Sequence, residues 1–198
     1  MDWASGPRID RPPSHSTILF EVHGESVDNH YGLASGHRDA PLSPRGRQQA
    51  RDLGDRYRQN LPAAVFCSDL QRSYATACLA FPDPPMPVIR DARLRECDYG
   101  AWTGRTAAQV EVARNEHGEI PFPAGESYLD VVRRVGDFVT ALRFGPLPER
   151  VLIIGHRGTW FALEHLLGGR ALSEVLSAPW VWRPGWRYDL PPALDSGE

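Results

Sequence analysis

Residues 17–24 read Thr17-Ile18-Leu19-Phe20-Glu21-Val22-His23-Gly24, and residues 151–156 read Val151-Leu152-Ile153-Ile154-Gly155-His156. Each is a short, nearly continuous apolar run that ends in a histidine beside a glycine. A run of that length, bounded by turn residues, predicts a strand buried on both faces, as in a parallel sheet. Glu21 alone interrupts the first run. Between and after these strands the pattern changes period. Ser43-Pro44 offers an N-cap followed by Pro at the first helical position, which opens a polar surface helix through Asn60 that Pro62 stops. Residues 63–67 read as a second strand and residues 70–81 as a second helix. The Pro-rich residues 82–87 then connect to a third strand near Val88-Ile89. Tyr128, Val131, Val132, Val135, Phe138, Val139 and Leu142 recur at three- and four-residue steps, which predicts a long amphipathic helix over residues 127–144. Residues 159–167 form the next helix, ending at Gly168-Gly169.

Strands alternating with helices predict an α/β fold, a three-layer α/β/α sandwich on a mostly parallel central sheet. Ligands are expected outside the carboxyl ends of its strands. Residues 92–123 mix aromatics, glycines and charges, as a small cap over those ends would. The expected layout is a loose arm over residues 1–16, one domain over 17–190 with the cap at 92–123, and a short tail over 191–198. The chain shows no internal repeat and no low-complexity tract.

With 198 residues, 41% hydrophobic and 24% charged, the chain fits one globular domain and excludes collagen, coiled coil and wholesale disorder. A net charge of -3 gives no basic field, so nucleic acid is not an expected partner. All 22 basic residues are arginine, so any phosphate pocket must be built from Arg, His and backbone N–H groups. No apolar run approaches the length of a membrane span, and the first sixteen residues hold no signal-like apolar segment, so a cytoplasmic location without a membrane partner is expected. Cys67, Cys78 and Cys97 lack C-x-x-C spacing and read as reduced structural thiols, not as metal ligands.

His23 and His156, 133 positions apart, share one context at the ends of two strands. The parallel-sheet rule sends both to the same edge, where two imidazoles can face one pocket. Either histidine alone would read as a satisfied, half-buried side chain.

Five spaced motifs in order strengthen the pair. They are His23-Gly24-Glu25-Ser26 with Asn29, Gly36, Asp39, Leu42-Ser43, Gly46 and Gln49-Ala50; Ser68-Asp69-Leu70-Gln71-Arg72 with Thr76-Ala77; Leu94-Arg95-Glu96 with Tyr99-Gly100, Trp102 and Gly104; Gly125-Glu126-Ser127 with Arg134-Val135; and Gly155-His156. On these residues the chain resembles the histidine phosphatase superfamily, which includes phosphoglycerate mutases and many small phosphatases. The resemblance runs over about residues 17–168 and favours the small-phosphatase branch. It implies a metal-independent phosphatase that acts on a small phosphorylated metabolite and needs no cofactor. His23 would be the nucleophile that forms a phosphohistidine, Glu96 the proton donor and later the base, and His156 a stabiliser of developing charge. Arg72 would clamp phosphate oxygens and Asn29 would donate to them, while Gly24 would let the backbone approach the ligand. A mutase-like phosphotransferase and a catalytically weak phosphate-binding regulatory module are the alternatives.

Two positions depart from the family pattern. Val22 stands where an Arg precedes the nucleophile, and Arg157 stands where Gly follows the second histidine. Arg157 then has two readings: a relocated phosphate ligand, or the partner that neutralises Glu21. Tyr99, Trp102, Phe122, Tyr128 and Trp160 are candidates to pack a leaving group, although aromatics so placed are more often core. Trp180, Trp182, Trp186 and Tyr188 have two uses open to them, covering the sheet or making a homo-oligomer contact.

Overall fold

The computed structural model describes residues 16–144 and 149–191. Its strands are β1 (Ser16–Val22), β2 (Ala64–Cys67), β3 (Val88–Arg90), β4 (Arg150–Gly155) and β5 (Trp186–Leu190). They form one sheet in the order β3-β2-β4-β1-β5, with β1 to β4 parallel and β5 antiparallel to β1. The helices are α1 (Val27–His30), α2 (Pro44–Tyr57), α3 (Gln71–Ala80), α4 (Ala107–Ala113), α5 (Tyr128–Phe144), α6 (Arg157–Leu166) and α7 (Leu172–Ser177).

The pleat sorts the core into two halves, because successive side chains of a strand point to opposite faces. Leu19, Val65, Cys67, Leu152 and Ile154 pack with Leu53 of α2 and Ala77 and Ala80 of α3. Ile18, Phe20, Val151 and Ile153 pack on the other face with Val135 and Phe138 of α5 and Phe161 and Leu163 of α6. The three layers and the mostly parallel sheet therefore stand as expected. At the start of α2, Ser43 Oγ accepts from Gly46 N at 3.0 Å and Pro44 occupies the first turn. Because Leu70 gives α3 no side-chain cap, Asp39 Oδ1 accepts from Gln71 N at 2.6 Å in its place.

Several boundaries and elements differ from expectation. Ser16 belongs to β1 and not to an arm, α2 ends at Tyr57 instead of Asn60, and α6 begins at Arg157 instead of Thr159. The rest of the expected arm, residues 1–15, and residues 192–198 of the expected tail lie outside the described residues. The C-terminal aromatics resolve in part. Trp186 and Tyr188 lie on the inward face of β5 with Leu190, and Trp186 stacks on Trp180 at 5.4 Å, so this segment covers the edge of the sheet at β1. Among the described residues no helix is long and apolar enough to cross a membrane.

Candidate active site

Neighbouring strands create the site. β1 and β4 run parallel with Val22 opposite Gly155, so the next residue of each strand, His23 and His156, arrives at one edge. Their ring centroids stand 4.8 Å apart, edge to face. A glycine pair makes the turn after His23 feasible. A Cβ at Gly24 would stand 2.3 Å from the Gly46 carbonyl oxygen, and one at Gly46 would stand 2.0 Å from that of Glu25. What Gly24 admits on the side where a Cβ would stand is the backbone of α2. Its N–H is also taken, donating to Thr76 Oγ1 at 3.0 Å.

His23 Nδ1 lies 2.6 Å from the Gly24 carbonyl oxygen. Only an N–H satisfies a carbonyl, so the neutral ring carries its proton on Nδ1 and leaves the Nε2 lone pair free. Burial first, and then the charge of Arg72, push the His23 pKa down to about 3, against the smaller upward pull of that carbonyl. His156 is fully buried, and neither of its ring nitrogens has a hydrogen-bond partner among the described residues. Burial, then Arg72 and His23, hold its pKa well below the usual imidazole value. A buried polar atom left unpaired costs about 1–3 kcal/mol, which makes this ring a place that a ligand would satisfy.

Arg72 is buried on α3, where its Nη1 donates to Arg38 O at 3.0 Å and its Nη2 to Gly36 O at 2.8 Å. Carbonyls orient the guanidinium without neutralising it, and burial holds its pKa down. The fork is thus aimed and still carries a charge for an anion to meet. Glu96 approaches from the loop after β3, with Oε1 accepting from Cys97 N at 2.8 Å and from Gly158 N at 2.9 Å. Arg134 secures that loop by donating to the carbonyls of Arg93, Arg95 and Glu96 while its Nε and Nη2 hold the Glu126 carboxylate. His37 Nε2 meets the same Glu96 carbonyl at 2.8 Å.

A cavity of about 280 Å³ opens beside these groups; His23, Asn29, Arg72, Glu96 and Arg157 line it, whereas His156, fully buried behind His23, does not. Asn29 commits its Oδ1 to the Ser26 N–H at 3.0 Å in a capping box of α1, which leaves its amide N–H groups as donors. Of the aromatic candidates, Tyr99 and Tyr128 line the cavity while also belonging to the core cluster, Phe122 and Trp160 belong to that cluster without lining the cavity, and Trp102 packs against it. Among the described residues no group of three or more His, Cys, Asp or Glu could hold a metal ion.

The pairing of Arg157 with Glu21 is overturned. Glu21 is buried on the α2 face, where Arg56 Nη2 lies at 3.0 Å and Tyr57 Oη donates at 3.1 Å. Arg157 reaches Glu111 of the cap helix α4 instead, donating at 2.5 and 2.9 Å. Sequence reasoning missed Glu111 and Arg114, which also line the cavity. Their signal was the Thr106-x-x-Gln109 capping box that opens α4.

Comparisons with known proteins identify the family. A family model described as the histidine phosphatase superfamily (branch 1) matches residues 18–180. Phosphoserine phosphatase 1 of Hydrogenobacter thermophilus is 30% identical over 168 residues, covering 81% of this chain and 80% of that protein. The adenosylcobalamin/alpha-ribazole phosphatase of Escherichia coli is 31% identical over 171 residues, covering 81% of each. The structure of mycobacterial glucosyl-3-phosphoglycerate phosphatase with VO3 superposes with a TM-score of 0.73 at 27% identity, over 83% of this chain and 87% of that one. The chain is a phosphoric monoester hydrolase and belongs to branch 1 of the histidine phosphatase superfamily.

Proposed function

We propose that the enzyme hydrolyses a small phosphorylated metabolite through a phosphohistidine at His23, without a metal. The observation that carries this reading is the Nδ1–H bond of His23 to Gly24, which leaves Nε2 unprotonated in a ring that burial and Arg72 hold neutral. Nε2 attacks phosphorus and the bond from phosphorus to the leaving oxygen breaks, while the Glu96 carboxyl delivers a proton to that oxygen. Arg72, His156 and the Asn29 amide hold the phosphate oxygens as charge moves onto them. Water then attacks phosphorus, Glu96 takes its proton, and the N–P bond breaks to return neutral His23 and free phosphate. The segment around Glu96 and the phosphatase relatives support hydrolysis, while phosphoglycerate mutases 33% and 38% identical to the chain keep mutase-like transfer as the second reading.

The test uses rapid quench with a 32P-labelled alkyl phosphate. An acid-labile, alkali-stable label on the wild-type protein, absent from His23→Ala together with turnover, is the expected result. His23→Ala retaining most of the activity while folded would refute the phosphohistidine.

A further inference from the structure

Two segments set out the charged groups of the site. Residues 36–39 aim Arg72 through the carbonyls of Gly36 and Arg38, and Asp39 in the same segment anchors the start of α3. Residues 94–99 carry Glu96. The segments pack closely, since Gly36 has a φ of +51° and a Cβ on it would stand 3.0 Å from Tyr99 N and 3.3 Å from the Cys97 carbonyl oxygen. Among the described residues, the hydrogen bond that joins them runs from His37 Nε2 to Glu96 O at 2.8 Å. A carbonyl only accepts, so Nε2 carries the proton of that bond. Asp98 Oδ2, 3.6 Å from Nδ1, and Glu126 Oε2, 3.8 Å from Nε2, flank the ring.

Arg134 Nη2 donates to the same carbonyl at 2.8 Å, but the two donors act from different sides. Arg134 stands on α5 and also binds the carbonyls of Arg93 and Arg95, so it follows the loop from the helix. His37 comes from the segment that aims Arg72, and its bond sets where Glu96 stands relative to that guanidinium. Glu96 Oε1 is occupied by the N–H groups of Cys97 and Gly158, which leaves Oε2 as the oxygen to carry a proton. We propose that His37 is a positioning residue for proton transfer, holding Glu96 in register with Arg72 and so with the phosphate. The proposal rests on the reading of Glu96 as the proton donor. Arg72 itself does not depend on the His37 ring, because backbone carbonyls aim it.

The test measures kcat on an alkyl phosphate and on 4-nitrophenyl phosphate, together with inhibition by inorganic phosphate. His37→Leu removes the donor without stranding the Glu96 carbonyl, which keeps Arg134. A shift of about 1 Å costs about 10²-fold, and with Arg134 still in place the alkyl rate should fall by about tenfold. The nitrophenyl rate, which needs little protonation, should stay within about twofold, and so should the inhibition constant of phosphate. The side-chain amide of His37→Gln can donate from near the place of Nε2 and should bring the alkyl rate back to within about threefold of the wild type. In a Glu96→Gln background His37→Leu should cost less than about twofold more, because the group it positions is gone. Equal losses on the two esters, weaker phosphate inhibition, a His37→Gln no better than His37→Leu, or a full extra loss in the Glu96→Gln background would each overturn the positioning role. Equal losses from Glu96→Gln alone would remove the proton donor, and the role of His37 with it. A leaving-group split from Glu96→Gln without one from His37→Leu would overturn the role of His37 alone.

Discussion

Replacing Gly158 by alanine adds one methyl group at the anchor of the proposed proton donor. Gly158 is the second residue of α6, and a Cβ there would stand 2.4 Å from Glu96 Oε1 and 3.2 Å from Cys97 N. Ordinary contact begins at 3.4 Å, so the carboxylate must retreat by about 1 Å. That retreat breaks or lengthens the two N–H bonds of 2.8 and 2.9 Å that aim it. A displacement of about 1 Å at a reacting group costs about 10²-fold, which sits inside the 10²–10⁴-fold range of general acid catalysis. The helix itself does not lose by the change, because alanine is favoured over glycine in a helix by roughly 1 kcal/mol. The two readouts should therefore separate. With an alkyl phosphate, kcat should fall by about 10²; with 4-nitrophenyl phosphate, whose leaving group needs little protonation, it should fall by less than about tenfold. The thermal midpoint should stay within a few degrees of the wild type. Alkyl phosphate turnover within about threefold of the wild type would refute the role given to the Glu96 anchor.

Glu96→Gln should follow the same leaving-group pattern more strongly, and equal losses on alkyl and nitrophenyl esters would show that Glu96 positions substrate instead of giving a proton. Acid stability follows from the imidazoles. His23 is held near a pKa of about 3 and His156 is shifted in the same direction, whereas both titrate near 6.5 once unfolded. The stability they contribute is complete above that value and is lost as pH falls from about 6.5 toward 3. Urea titrations near pH 7 and pH 4 should accordingly show His23→Ala losing less stability on acidification than the wild type, and identical losses would contradict a neutral buried His23. Among the described residues, removing Arg56 leaves Glu21 with the Tyr57 hydroxyl alone. Arg56→Met should cost about 3 kcal/mol, the low end for breaking a buried pair because Arg56 itself is 35% exposed. Adding Glu21→Leu should restore most of that loss, and a melt unchanged by Arg56→Met would remove the pairing from the stability account.

The main strands and long helices were legible because burial on both faces leaves apolar runs and burial on one face leaves a 3.6-residue period. The elements that escaped lack those signals. β5 does alternate, with Trp186, Tyr188 and Leu190 inward and Arg187 and Asp189 outward, but over five residues bounded by Pro184 and Pro191 the period is too short to stand out in a tryptophan-rich stretch. α7 buries only Val175 and Leu176, too few to show a period. The strand-end histidines could be paired from sequence because the topology does the work: any two adjacent parallel strands deliver their last residues to one edge. Asp39, Asp69, Thr76 and Arg134 belong to the same motifs but serve the scaffold. Asp69 holds Arg95 with bonds of 2.8 and 2.6 Å, and Thr76 Oγ1 ties the Arg72 carbonyl at 2.7 Å to the Gly24 N–H. Motif spacing alone does not separate the groups that would touch substrate from those that aim them.

Arg157 shows where local reasoning stopped. Alternation along β1 does place Glu21 and Val22 on opposite faces, and the structure divides them so: Glu21 meets α2 through Arg56 and Tyr57, while Val22 packs into the core that includes α6. Arg157 opens α6. An arginine rising from that helix lies on the Val22 side of the sheet, and a carboxylate on the far face is screened from it by the strand itself. The pleat thus rules out the Glu21 partnership as soon as α6 is assigned to a face, but the assignment needs the strand order. The chain goes from β1 past the place of β4 to β2 and β3, and then returns through α5 to β4. Because such crossovers keep one hand, reversing direction moves the later helices to the opposite face. Arg157 is left with what the cavity side offers, which is Glu111 on the cap.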